Sequence, residues 1–161
     1  MGTWFNPDGL YRKFGTTKAI PATGGEFKTY GDWREIELRA DLTGLTTTPV
    51  ILSDVVFYPL GMRLQEVEVY VETAGVPGAA TSINLGLMQT DRSTVISASY
   101  FLLTSVVADH TPAGKKTVYT TGAGIATPST VPGYITLAAV AGTYTSGVLK
   151  FRIRYYKTGT N

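Results

Sequence analysis

The chain has 161 residues, a length that favours one domain with room for an appended arm, and its 14 Lys+Arg against 12 Asp+Glu leave a formal net charge of +2. So small an imbalance sets up no field for gathering nucleic acid or an anionic membrane. With no Cys and one His, the chain also lacks thiolate nucleophiles, disulfides, Cys-based zinc sites and most His-centred metal sites. Its 18 Gly, 25 Thr and 10 Tyr in a 43% hydrophobic composition suit strands joined by tight turns, and no cofactor is expected.

Residues 1–31 show no sustained period. Asn6-Pro7-Asp8-Gly9 signals a turn and Gly24-Gly25 breaks the segment again, while Trp4, Phe5, Tyr11, Phe14, Phe27 and Tyr30 are scattered along it. An extended arm is expected here, and its rings argue for a segment that covers a surface, since disordered tails usually lack aromatics. No apolar stretch follows a basic start, and no run of about 18 apolar residues occurs, so a soluble protein made in the cytoplasm is expected.

From Trp33 the period becomes 2. Ile36, Leu38 and Ala40 alternate with Glu35, Glu37 and Arg39, which reads as a strand with one wet face. Val50 to Phe57 reads as a strand interrupted at Ser53-Asp54 and closed by Pro59 and Gly61. Val67, Val69 and Val71 alternate with Glu66, Glu68, Tyr70 and Glu72; Met62 and Leu64 have the opposite parity, which predicts a β-bulge near Gln65. Residues 75–80 read as a loop, and Ile83, Leu85 and Leu87 mark a strand closed by the turn Thr90-Asp91-Arg92-Ser93. Val95 to Val107 fits either a buried strand or a short helix around Tyr100-Phe101-Leu102-Leu103. A strand over 116–120, a loop over 122–133 and a strand of mixed parity over 134–140 follow. Leu149, Phe151, Ile153 and Tyr155 then alternate with Lys150, Arg152 and Arg154 on a cationic outer face. About eight strands with turn-rich connections predict an all-β antiparallel sandwich, jelly-roll-like, over residues 32–161.

Chemistry is sparse. Glu66, Glu68 and Glu72 share a strand face at roughly 7 Å steps, a spacing open to a glycosidase pair, but their alternation with valines favours a solvated or ion-paired face. Lys150, Arg152 and Arg154 have the sign to lie cross-strand from them. His110 reads as a surface loop histidine, because none of the eight serines sits in a nucleophile elbow. Lys115-Lys116 reads as solvated lysines in a turn, and Gly122-x-Gly124 as a loop. Tyr11-Arg12-Lys13-Phe14 and the last strand are too short a basic pattern for nucleic acid.

Trp4-x-Asn6-Pro7-Asp8-Gly9-Leu10-x-x-x-Phe14-Gly15-Thr16, Gly24-Gly25-Glu26, Leu87-x-x-Thr90-Asp91-Arg92-Ser93-Thr94, Gly114-Lys115-Lys116-Thr117 and the closing Gly147-Val148-Leu149-Lys150-Phe151-Arg152 resemble a group of small virion proteins of tailed bacteriophages. The resemblance implies a capsid decoration, or cement, protein: a non-enzymatic β-sandwich on the outer capsid surface. Its partners would be the major capsid protein and neighbouring copies of itself, as a dimer or trimer, with no nucleic acid or membrane involved. Its contacts would be the arm residues Trp4, Phe5, Tyr11, Arg12 and Phe14, with Glu66, Glu68, Lys150, Arg152 and Arg154 as a charged interface face. The alternative from the residues is a carbohydrate-binding or host-attachment module of the virion, given the number of tyrosines.

Overall fold

The computed structural model describes residues 33–79 and 82–157. Nine strands are described: β1 (Trp33–Asp41), β2 (Val50–Ile51), β3 (Phe57–Tyr58), β4 (Met62–Pro77), β5 (Ser82–Gln89), β6 (Val95–Val106), β7 (Lys116–Tyr119), β8 (Gly133–Ala139) and β9 (Tyr144–Lys157). One sheet has the order β1-β9-β4-β7; the other has the order β2-β8-β5-β6, with β3 also paired to β8. If β2 and β3 count as one interrupted strand, the first strand pairs with the last, the second with the second-last, β4 with β7 and β5 with β6. That nesting is a folded hairpin wrapped into two sheets, the jelly roll. The predicted all-β sandwich of jelly-roll type is therefore the observed fold.

The alternation in sequence becomes the core. Ile36, Leu38, Val67, Val69, Val71, Leu149, Phe151 and Ile153 from the first sheet meet Ile83, Leu85, Leu87, Ile135 and Leu137 from the second, all buried. Tyr58, fully buried, sits edge-on to Phe101, Tyr155 and Tyr100 with ring centroids 4.8, 5.1 and 5.6 Å away, and this aromatic group fills one end of the core. The β4–β9 register slips between Leu64 and Glu66, which places the expected bulge at Gln65 and puts Met62 and Leu64 in the core beside the valines.

Three expectations change, and one open choice is decided. Residues 75–77 continue β4, because Gly75 marks a close backbone crossing and not a turn. Its N–H donates to the His110 carbonyl at 2.8 Å, and a Cβ on Gly147 would come within 2.6 Å of the Gly75 Cα. Val95–Val106 is a strand, whose periodicity is blurred where Leu85 opposes Leu102 but Leu87 opposes Ser97. The 122–133 loop contains a one-turn helix, α1 (Ala123–Ala126), packed so closely on β6 that a Cβ on Gly124 would lie 2.5 Å from the Tyr100 ring. Finally, His110 is fully buried instead of on the surface.

Candidate functional site

The first sheet gathers its charges on its outer face. Glu66 stands opposite Arg154, Glu68 opposite Arg152, and Tyr70 opposite both Lys150 and Lys116. On the other side of β9, Glu35 and Glu37 of β1 reach the same arginines. Arg152 lies 3.0 Å from Glu35, 3.3 Å from Glu37 and 3.4 Å from Glu68. Arg154 pairs with Glu66 and with Glu35, and these hydrogen bonds raise its guanidinium pKa further. Lys116 lies 2.7 Å from Glu68, and Arg39 lies 2.6 Å from Glu72, holding that carboxyl below its usual range. Lys150 is 3.6 Å from Glu72. Glu35, Glu37, Glu66 and Glu68 thus meet Lys116, Arg152 and Arg154 in a network spanning four strands, and Glu72 meets Arg39 and Lys150 in a smaller group beside it.

The predicted residues Glu66, Glu68, Lys150, Arg152 and Arg154 are therefore brought together as the cross-strand ladder that their signs suggested. Glu68, with only 10% of its side chain exposed, is clamped by Lys116 and Arg152. A carboxylate joined to cations on β7 and β9 helps to fix three strands in register. Lys116 is engaged here and Lys115 lies 2.9 Å from Asp109, so the two lysines expected to be solvated are partly exposed and also ion-paired. The predicted arm residues Trp4, Phe5, Tyr11, Arg12 and Phe14 lie outside the described residues.

A second cluster, not expected from sequence, forms where the β6–β7 connection meets β9. The Nδ1 of His110 lies 3.2 Å from the Tyr144 hydroxyl, and its Nε2 is buried without a partner. Burial pushes the imidazole down to about 4; Asp109 opposes that shift and Lys115 adds to it. Burial also acts on Asp109, but the Tyr119 hydroxyl and the Lys115 ammonium prevail and hold its carboxyl below the usual range. Among the described residues no group of three His, Cys, Asp or Glu is placed to hold a metal.

A third arrangement lies on the second sheet, where the Arg92 guanidinium sits 5.1 Å from the centre of the Tyr134 ring and the Phe57 ring packs, tilted, against that same ring with centroids 4.6 Å apart. The β5–β6 turn, the start of β8 and β3 supply the three residues. Nothing in their spacing announces that they meet; only the strand register does.

The sandwich and its wrapped strand order define a jelly-roll domain. No protein-family model matches the chain, and no curated protein matches it. Solved structures do. A chain in the capsid of Ralstonia phage GP4 is similar with a TM-score of 0.60 at 15% identity, over 81% of this chain and 87% of that one. A chain in the capsid asymmetric unit of cyanophage Pam1 is similar with a TM-score of 0.50 at 19% identity, over 78% of this chain and 85% of that one. At these identities the shared property is the fold.

Proposed function

We propose that this chain is a structural protein of a phage head, a decoration protein that binds the shell of major capsid protein from outside and stabilises it. The observation that carries the reading is the jelly roll shared, over most of both chains, with proteins of two phage capsids. The motif resemblance to small virion proteins points the same way, and the ion-paired carboxylates of the outer ladder favour a role in holding structure over one in catalysis. In this reading the segment 1–31 lays Trp4, Phe5, Tyr11, Arg12 and Phe14 across a neighbouring shell subunit, as aromatic and arginine anchors do at protein interfaces. Glu66 and Glu68 are already paired with Arg154 and Arg152, and Lys150 with Glu72, so these residues orient the partner more than they bind it. Many copies that bind the assembled shell and not its free subunits would stabilise the head by mass action.

Removing residues 2–20 is the direct test. The truncated sandwich is expected to fold normally and to be missing from purified particles, whose heads then lose DNA at lower temperature. Normal occupancy of the shell by the truncated chain would sink the role given to the arm; absence of the full chain from the particle would sink the whole reading.

A further inference from the structure

The register of the second sheet sets Val95 opposite Met88, Met88 opposite Tyr134 and Tyr134 opposite Phe57, so one uncharged row crosses β6, β5, β8 and β3 on the outer side. The middle of the row is covered, partly by Arg92 lying over Tyr134, but its ends are open: Val95 and Phe57 are each 42% exposed, and Val55 beside Phe57 is 83% exposed. Arg92 is held here by its turn. Its φ of 61° is the left-handed conformation that side chains avoid, and the Asp91 carboxylate fixes the turn by accepting from the Ser93 and Thr94 N–H groups and the Thr94 hydroxyl. Opposite stands Asp54, 3.2 Å from the guanidinium, with side-chain exposures of 53% for Arg92 and 69% for Asp54. An open apolar row thus borders one half-solvated cation and one half-solvated anion.

We infer that this patch is a contact between two copies of the chain about a two-fold axis, with Phe57 and Val55 packed against their counterparts and Arg92 of each copy meeting Asp54 of the other. A patch with one charge of each sign beside an apolar centre is complementary to itself when turned by 180°. Its aromatic, methionine and arginine content is the composition of interface centres. The exposed pair within one chain is worth little in water, so exchanging it for the same pair between chains costs little while apolar surface is buried. The ladder face of the first sheet, where ion pairs already join the ten charges within the chain, offers no such exchange.

Sedimentation of the full chain tests this without any particle, so its outcome is separable from the shell-binding proposal. The wild-type chain is expected to dimerise at about 100 μM, where a contact of micromolar affinity is populated. D54R, which leaves two cations, and R92D, which leaves two anions, should each weaken the dimer by about tenfold or more. An equimolar mixture of the two should associate as a heterodimer, which a pair confined to one chain cannot produce. R92G supplies the residue that favours a positive φ, so it is expected to keep the folded circular-dichroism spectrum and sediment as a monomer. A wild-type chain that stays monomeric, or a mixture no tighter than its components, would overturn the inference.

Discussion

On the first sheet, the outward positions of β1, β9 and β4 carry Glu35, Glu37, Glu66, Glu68, Arg152 and Arg154, all ion-paired. On the second sheet, β2, β3, β5, β6 and β8 contain no Asp, Glu, Lys or Arg, and on their outer side Ser82, Met88, Tyr134 and Thr136 are buried. One sheet has a single dry face and the other is dry on much of both. The sandwich is therefore polarised: among the described strands, charge is carried by one layer, and contacts that need uncharged surface are left to the other.

The largest effect that separates the layers should come from placing a charge on each. Thr136→Lys puts an ammonium at a position only 2% exposed and unpaired in its sheet, and should cost about 3–5 kcal/mol in urea unfolding. Val118→Lys, on the outer side of β7 and 48% exposed, should stay within about 0.5 kcal/mol. Equal costs would erase the contrast.

The junction between the layers is next. His110 binds its proton less well when folded than when unfolded, so its contribution is fully present above about 6.5 and is lost as the pH falls towards about 4. The loss amounts to about 3 kcal/mol over that window, and His110→Gln should flatten it in a pH series of thermal melts. A wild-type stability that does not change between those pH values would show that the imidazole is reached by water.

Within the ladder, Glu68→Lys sets three cations together and should cost about 1–2 kcal/mol, part of it recovered by adding Lys116→Glu, whose ion pair in the ladder is with Glu68, since opposed charges in contact couple. Full additivity of the two changes would mean that the strands are held by their backbones and core alone. The smallest effect is ionic: moving to about 1 M salt should lower stability by less than about 1 kcal/mol, and the Glu68→Lys chain should respond less than the wild type.

The same polarity decided how much could be read in advance. β1, β4 and β9 were legible because a sheet with one wet face writes its alternation into the chain, and the bulge at Gln65 followed from the parity change between Leu64 and Glu66. The mixed parity of 134–140 was the mark of a strand buried on both sides, where alternation has no cause. Gly75 misled because glycine serves both turns and close crossings, and only the position of Gly147 decides which. His110 misled because loop histidines are usually wet, whereas this one is buried against Tyr144. The ladder could be foreseen from complementary signs on two strands. The Phe57–Tyr134–Arg92 group could not, since its members come from three separate segments and the conformation of Arg92 leaves no trace in the residue itself.

The wrapped order has a consequence for how the chain reaches its fold. The Glu35 and Arg154 side chains that join β1 to β9 are 119 positions apart, so among the described strands the first made waits for the last. Domains dominated by such distant pairings fold slowly, over milliseconds to seconds, and expose strand edges meanwhile. A strand in which Glu35, Glu37 and Arg39 alternate with its apolar residues is poorly suited to joining a foreign edge, so the charges that later form the ladder guard β1 against misassembly while it waits.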